Sequence, residues 1–120
     1  MFYGYGNGTT TRHDTTAYDK AGERVRARFD NSMTAHVWAS HCQSFGQSGN
    51  GNFYFMGRAA HSYGPHFVAG YLAPAFGDLA GVGVAFINSD SYSVSTARHV
   101  SESAFASRHL GRVWVPELTA

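Results

Sequence analysis

VGVAFINSDSYSVSTARHVSESAFASRH, residues 82–109, is the stretch that decides the predicted fold. Its first six residues are small or apolar, which is typical of a buried central strand. Residues 88–91 have the composition of a turn. After the turn, apolar residues recur at helical spacing with Ser95 or Thr96 available as the N-cap, which predicts a helix at about residues 95–109. The stretch therefore predicts a strand, a turn and a helix in succession.

A second helix is predicted upstream, at about residues 32–46. Asn31 and Ser32 are both good N-cap residues, and the glycines from residue 46 onward end the pattern. The apolar stripe of this predicted helix consists of Met33, Val37, Trp38, Cys42 and Phe45. On such a stripe Cys42 is expected to be buried and to pack as a small hydrophobic residue.

Strand patterns occupy much of the remaining sequence. Residues 12–29 are predicted to form a hairpin around a turn at residues 19–22. In its second half, apolar residues alternate with Arg24, Arg26 and Arg28, which is the period of a half-buried strand. Further short strands are predicted at residues 53–56, 58–62, 66–73 and 113–115.

This order of strands and helices predicts an α+β fold. We expect one compact single domain over residues 1–120, with two helices and a mainly antiparallel sheet. Residues 1–11 are expected to form a Gly- and Tyr-rich arm, because glycine stands at positions 4, 6 and 8.

The composition bounds the partners that this chain is expected to have. Charged residues make up 14% of the sequence and aromatic residues 15%, whereas about 25% charged residues is usual. So much apolar surface predicts a homo-oligomer. The net charge of +1 argues against a dedicated duplex-binding protein, which is normally strongly basic.

The same inventory predicts a cytoplasmic protein without a membrane segment. Its one cysteine cannot form an internal disulfide and suits a reducing compartment. No apolar run approaches the length of a membrane span. Residues 1–5 lack the basic and apolar regions of a signal peptide.

Motifs for catalysis or metal binding are weak. The seven histidines include no helical pair at zincin spacing, and one cysteine cannot start a familiar zinc pattern. Residues 46–49 are one residue short of a nucleophile elbow. We therefore predict no catalytic residue, no metal site and no cofactor, although an uncharacterised transferase or hydrolase remains an open alternative.

Residues around the start of the second predicted helix offer groups for an anionic ligand. A helix N-terminus carries unpaired backbone N–H groups and attracts phosphate. Polar side chains would add hydrogen bonds to it, tyrosines would stack on a base, and two arginines would reach in from a neighbouring chain. The predicted ligand-binding residues are Asn88, Asp90, Tyr92, Thr96, Arg98, His99, Tyr63, Arg58 and Arg112. A plain turn, helix caps and core aromatics would explain the same residues, and this alternative stays open.

Four stretches together resemble a set of small bacteriophage and prophage proteins. They are HVWA at residues 36–39, GNFYFMG at 51–57, SYGPHF at 62–67 and YSVSTARH at 92–99, so the resemblance covers roughly residues 32–100. It implies no role for any single residue. It does imply a setting, because small phage proteins outside the virion often blunt host defence, some of them by trapping cyclic nucleotide or cyclic ADP-ribose signals.

The sequence thus leads to one functional hypothesis and two alternatives. The hypothesis is a phage-encoded immune-evasion protein that binds and sequesters a nucleotide-derived signal in the host cytoplasm without catalysis. The first alternative is a protein-binding inhibitor of a host defence complex, similar to an anti-CRISPR. The second is a nucleic-acid binder that uses the face of Arg24, Arg26 and Arg28, whose affinity would fall steeply with salt.

Overall fold

A single mixed sheet of seven strands organises the computed structural model, which describes residues 16–75, 81–90 and 93–118. The predicted arm at residues 1–11 lies outside the described residues. The elements of the described part are β1 Ala17–Tyr18, β2 Arg24–Val25, β3 Arg28–Phe29, α1 Asn31–Ser40, β4 Phe45–Ser48, β5 Phe53–Met56, β6 Ala59–Ser62, β7 Val68–Ala73, β8 Val84–Asn88, α2 Val94–Ala106 and β9 Gly111–Val115. The predicted α+β class is confirmed.

The strands of the large sheet follow one another in chain order from β3 to β9. The five middle strands, β4 to β8, form an antiparallel meander. At each end of the sheet a helix connects two parallel strands, α1 between β3 and β4 and α2 between β8 and β9. A parallel neighbour requires such a crossover connection, since a tight turn can join only antiparallel strands.

Both helices lie on one face of this sheet. Helix α1 packs on β3 to β5, α2 packs on β6 to β8, and the two helices contact each other. Neither helix of the described residues is long and apolar enough to cross a membrane.

Trp38 of α1 anchors the core between helix and sheet. Its ring packs on Gly70 of β7, where a side chain would collide with it, and its indole Nε1 donates a 2.9 Å hydrogen bond to the carbonyl of Arg58. Large apolar side chains of the sheet complete this core, namely Phe53, Phe55, Leu72 and Ile87.

The prediction that the first helix extends to residue 46 is wrong. The helix ends at Ser40 because His41 adopts the left-handed conformation, with φ of 54°, and its N–H bonds back to the Trp38 carbonyl. Phe45 belongs to β4, and Cys42 is exposed and lies outside the helix. The buried face of α1 consists of Thr34, Ala35, Trp38 and Ala39, because small residues beside Trp38 let the helix approach the sheet closely.

The predicted hairpin is present within the described residues. Its second predicted strand, which carries the arginines, is divided between two sheets. Strands β1 and β2 pair antiparallel around a turn that the Asp19 carboxylate stabilises by accepting bonds from Ala21 N and Glu23 N. Arg24 then pairs in this two-stranded sheet, whereas Arg28 pairs with β4 in the large sheet. Arg24, Arg26 and Arg28 nevertheless remain exposed at alternate positions.

Candidate ligand-binding site

Several polar and aromatic residues meet at one end of the large sheet. We call it the Ser62 end, and there β5 begins, β6 and β8 end and α2 begins. Phe53 pairs with Ser62 across β5 and β6, and the Ser62 hydroxyl lies 3.5 Å from the hydroxyl of Thr96 in α2. The opposite end of β6 carries the turn at Gly57 and Arg58.

Ser93 caps helix α2 and fixes where it starts. Its backbone is extended and its hydroxyl accepts a 3.1 Å hydrogen bond from Thr96 N. The capped helix is thirteen residues long. The predicted helix is present and starts one residue before its predicted start. Its N-cap is Ser93 and not the predicted Ser95 or Thr96, and it ends at Ala106, three residues before the predicted end.

A chain of three hydroxyl groups leads from this cap to an imidazole. Ser93 Oγ lies 3.1 Å from Thr96 Oγ1, Thr96 Oγ1 lies 3.5 Å from Ser62 Oγ, and Ser62 Oγ lies 2.6 Å from His99 Nδ1. Ser62 is 1% exposed and His99 4%. Buried polar groups of this kind are stable when each has a partner, which this chain provides.

The hydrogen bonds along this series of hydroxyl groups can point in two directions, depending on the tautomer of His99. When Nδ1 accepts the Ser62 proton, each hydroxyl donates towards the imidazole and Nε2 carries the ring proton. When Nδ1 is protonated it donates to Ser62, and the hydroxyls donate towards Ser93. In the first arrangement all three hydroxyls donate within the chain, whereas in the second only Ser62 and Thr96 do. His99 Nε2 is accordingly a donor in the first arrangement and an acceptor in the second.

The His99 ring is also part of an aromatic cluster. It stacks on Phe53 with centroids 4.7 Å apart and planes 9° apart, and the Tyr63 ring lies 5.6 Å away, tilted by 33°. Burial, and to a lesser degree the positive charge of Arg98, lowers the pKa of His99 below its ordinary value. The imidazole is therefore neutral at neutral pH.

Tyr63 is the exposed member of this cluster. It follows the last residue of β6, adopts a left-handed backbone with φ of 58°, and precedes Gly64, whose φ is 112°. Its N–H donates a 2.7 Å hydrogen bond to the Asn52 carbonyl, and the residue is 54% exposed. A bulky residue rarely adopts this conformation and is strained in it, so the fold holds the Tyr63 ring at the surface beside His99.

Asn88 and Asp90 lie near the end of β8, and their side chains bind the protein's own backbone. The Asn88 amide donates to the Val68 carbonyl and accepts from Asp90 N, both at 2.9 Å. Asp90 Oδ2 accepts a 2.8 Å bond from Glu117 N. Their predicted contact with a base or ribose stays a prediction.

The predicted arginines occupy different places. Arg98 is exposed in the second turn of α2. Arg58 lies at the far end of β6 from Ser62, where its guanidinium donates to the Leu72 and Gly81 carbonyls. Arg112, aligned with Ala85, donates to the Ala104 carbonyl near the end of α2. Within one chain Arg58 and Arg112 are therefore separated from the Ser62 end, and Tyr92 lies outside the described residues.

Sequence reasoning missed Ser62, Phe53 and Ser93 as members of this cluster. Ser62 stands two residues after Ala60 in an apolar strand, so the strand period predicts that it faces inward. A polar residue at an inward position needs a partner, and this is the signal from which the cluster could have been predicted. Its partner His99 is 37 residues away.

Comparison of the chain with protein-family models, with curated proteins and with solved structures finds no match. Among the residues that the structure describes, no three histidine, cysteine, aspartate or glutamate side chains come together as a metal site.

Proposed function

We propose that the protein binds and sequesters a nucleotide-derived signalling molecule, of the cyclic nucleotide or cyclic ADP-ribose type, without catalysis. The observation that carries this proposal is the Tyr63 ring, which is exposed and held in a strained backbone next to the start of α2. Backbone strain in an aromatic residue at a surface cluster is typical of a functional position.

The base of the ligand would stack on the exposed face of Tyr63. Stacking of a base on an aromatic side chain contributes about 1–3 kcal/mol and tolerates any base, because every base has a π face. His99 and Phe53 support this platform from inside the protein.

A phosphate of the same ligand would bind at the first turn of α2. The capping contacts use the N–H groups of Thr96 and Ala97, and the earlier N–H groups of a helix have no partner within the helix. Those of Val94 and Ser95, together with the exposed Arg98, can bind an anion. The hydroxyl contact between Ser62 and Thr96 keeps this turn close to Tyr63.

Binding without turnover agrees with the chemistry of the cluster. The Ser62 hydroxyl, which would be the nucleophile, is buried beneath the aromatic cluster and bonded to a neutral His99. A general acid–base pair would require a second group of matched pKa within hydrogen-bond reach of the ligand. The hydroxyl chain supplies instead hydrogen-bond donors and acceptors whose direction depends on the tautomer of His99.

The biological setting of this proposal comes from the sequence resemblance. A phage protein that traps a defence signal would act in the host cytoplasm, at a concentration that competes with the host receptor. It would act as a homo-oligomer.

Calorimetric titration with a panel of cyclic mononucleotides, cyclic dinucleotides and cyclic ADP-ribose tests the proposal. The wild type should bind one of them, and Tyr63→Phe should bind it comparably because the ring remains. Tyr63→Asn keeps a residue that tolerates the left-handed backbone and removes the ring, so affinity should fall about tenfold or more. Absence of binding heat for the wild type across the panel would contradict the proposal.

The arginine face supports a second candidate function, the binding of single-stranded nucleic acid. An open groove there is lined by Arg26, Ala27, Arg28, Phe29 and Gln47, and the Arg26 guanidinium lies 5.0 Å from the Phe29 ring. Cations beside an aromatic ring can bind phosphate and stack on bases. The candidate predicts oligonucleotide affinity that falls steeply with salt and is lost in R24A/R26A/R28A.

A further inference from the structure

Strand β9 forms one edge of the large sheet and is long and apolar for an edge strand. It spans five residues, Gly111–Val115, and among the described residues its only neighbour in the sheet is β8. Val113 and Trp114 point to opposite faces and are 44% and 53% exposed. Edge strands are usually protected by charged side chains, especially lysine, by proline, or by a covering segment. Between Gly111 and Val115, β9 carries one charged residue, Arg112, and no proline.

The hydrogen-bonding direction of β9 follows from its pairing with β8. The Val115 carbonyl accepts a 2.9 Å bond from Ser89 N, so the backbone groups of Val115 face β8. Because these groups alternate in direction along a strand, those of Val113 also face β8, while those of Arg112 and Trp114 point to the open edge.

We propose that two copies of this chain associate through β9, antiparallel, about a two-fold axis at Val113. In this register Arg112 faces Trp114 of the second copy, and each pair exchanges two backbone hydrogen bonds, which gives four across the interface. Val113 faces its own counterpart between these pairs, at a position where opposed side chains come closest. The two seven-stranded sheets become one continuous sheet.

Pro116 favours the register with its axis at Val113 over the register with its axis at Trp114. A two-fold axis at Trp114 would place Arg112 opposite residue 116, which is Pro116 and has no N–H to donate. An axis at Arg112 would place Trp114 opposite Leu110, whose N–H already bonds to the Ser107 carbonyl. With the axis at Val113, every outward N–H of the strand finds a carbonyl.

The side chains agree with this register on both faces of the sheet. Arg112 and Trp114 lie on the face that carries α2, and each guanidinium would meet the indole ring opposite it, a favourable cation–π contact. The Arg112 guanidinium already donates to the Ala104 carbonyl, and this contact leaves its flat face free for the ring. On the other face, Val113 would bury its exposed methyl groups against the second Val113.

The proposed dimer forms through β9 alone, so it does not depend on a bound ligand. Sedimentation velocity of the ligand-free full chain should give twice the mass of one chain. V113K and V113E should each sediment at the mass of one chain, because like charges meet at the axis. A mixture of the two variants should return to the mass of two chains, and M33K, at another exposed apolar residue, should remain dimeric. A monomeric wild type, or a V113K variant that keeps the dimeric mass, would overturn the proposal.

Disulfide trapping tests the register without a charge in the strand. In a C42S background, V113C should cross-link to itself on oxidation, because residues facing each other across a non-hydrogen-bonded pair lie about 4.5 Å apart at Cα, within disulfide range. C42S/V115C is the matched control and should not cross-link, since residue 115 would face Gly111. Cross-linking through residue 115 with none through residue 113 would rule out the proposed register.

Discussion

Ser62 and His99 show how one residue pair determines the chemistry of the candidate site. Neither residue is exposed, and the 2.6 Å contact between them gives the imidazole nitrogen a partner. The sequence alone placed His99 and Thr96 on the correct helix near its start. It placed their side chains towards a ligand, whereas both are buried, because the partner that draws them inward comes from a strand 34 to 37 residues away.

Removing the hydroxyl of Ser62 should destabilise the protein. Ser62→Ala leaves Nδ1 of His99 buried without its closest partner, which should lower the free energy of unfolding by about 1–3 kcal/mol. Ser40→Ala is the matched control, since Ser40 is exposed and its hydroxyl bonds to the His36 carbonyl within the helix. Urea denaturation of both variants measures the difference, and equal stabilities would show that the Ser62 contact has no net energetic role.

Two histidines should make the free energy of unfolding depend on pH. Burial lowers the pKa of His41, aided by the charges of Arg58 and Lys20, and burial together with Arg98 lowers the pKa of His99. The unfolded chain therefore takes up protons first as the pH falls. Stability from both residues is complete above the ordinary histidine value of 6.5 and decreases below it.

The replacement H41N/H99N should flatten this dependence. Asparagine tolerates the left-handed backbone at residue 41 and can still donate to Ser62 from residue 99. Urea denaturation across the acidic range should show a smaller loss of stability than in the wild type, while His66→Asn, at an exposed histidine, should follow the wild type. A double variant as sensitive to acid as the wild type would contradict the assigned shifts.

At the scale of elements, the sequence predicted those with a strong periodic pattern and failed where one residue changes the backbone. Helix α2 and strands β5 to β8 lie close to their predicted positions. Helix α1 stops six residues early because His41 turns left-handed, and periodicity does not reveal such a turn. The predicted apolar stripe of α1 also differs from its buried face, because α1 packs on the sheet through small residues beside Trp38.

The contact between Trp38 and Gly70 should tolerate no added atoms. A Cβ at residue 70 would lie 2.7 Å from Trp38 Cη2, which forces the ring or the strand to move. Gly70→Ala should therefore lower the free energy of unfolding by about 1–3 kcal/mol. Gly49→Ala is the control, because a Cβ there meets nothing within 4 Å. Thermal denaturation measures the difference between the two variants. Equal midpoints would contradict the close contact between Trp38 and Gly70.

At the scale of the whole molecule, the α+β class could be predicted and the parallel strands at both ends of the sheet could not. The sequence shows strands and helices in order, but each crossover depends on which strand the chain returns to. That choice leaves β9 at an edge, beside a helix whose first turn lies at the Ser62 end. The proposed homo-oligomer depends on the β9 edge, and the proposed ligand trapping depends on the Ser62 end. Both proposals therefore concern the assembled sheet and helices.

Native mass spectrometry of the full chain, purified from bacterial cells with activated nucleotide signalling, tests whether the protein sequesters a nucleotide. We expect the wild type to carry a discrete added mass equal to that of a cyclic nucleotide or a cyclic ADP-ribose compound. Tyr63→Asn should lose this mass and Tyr63→Phe should retain it. A wild-type protein that carries no added mass, or an added mass that persists in Tyr63→Asn, would contradict nucleotide sequestration at this site.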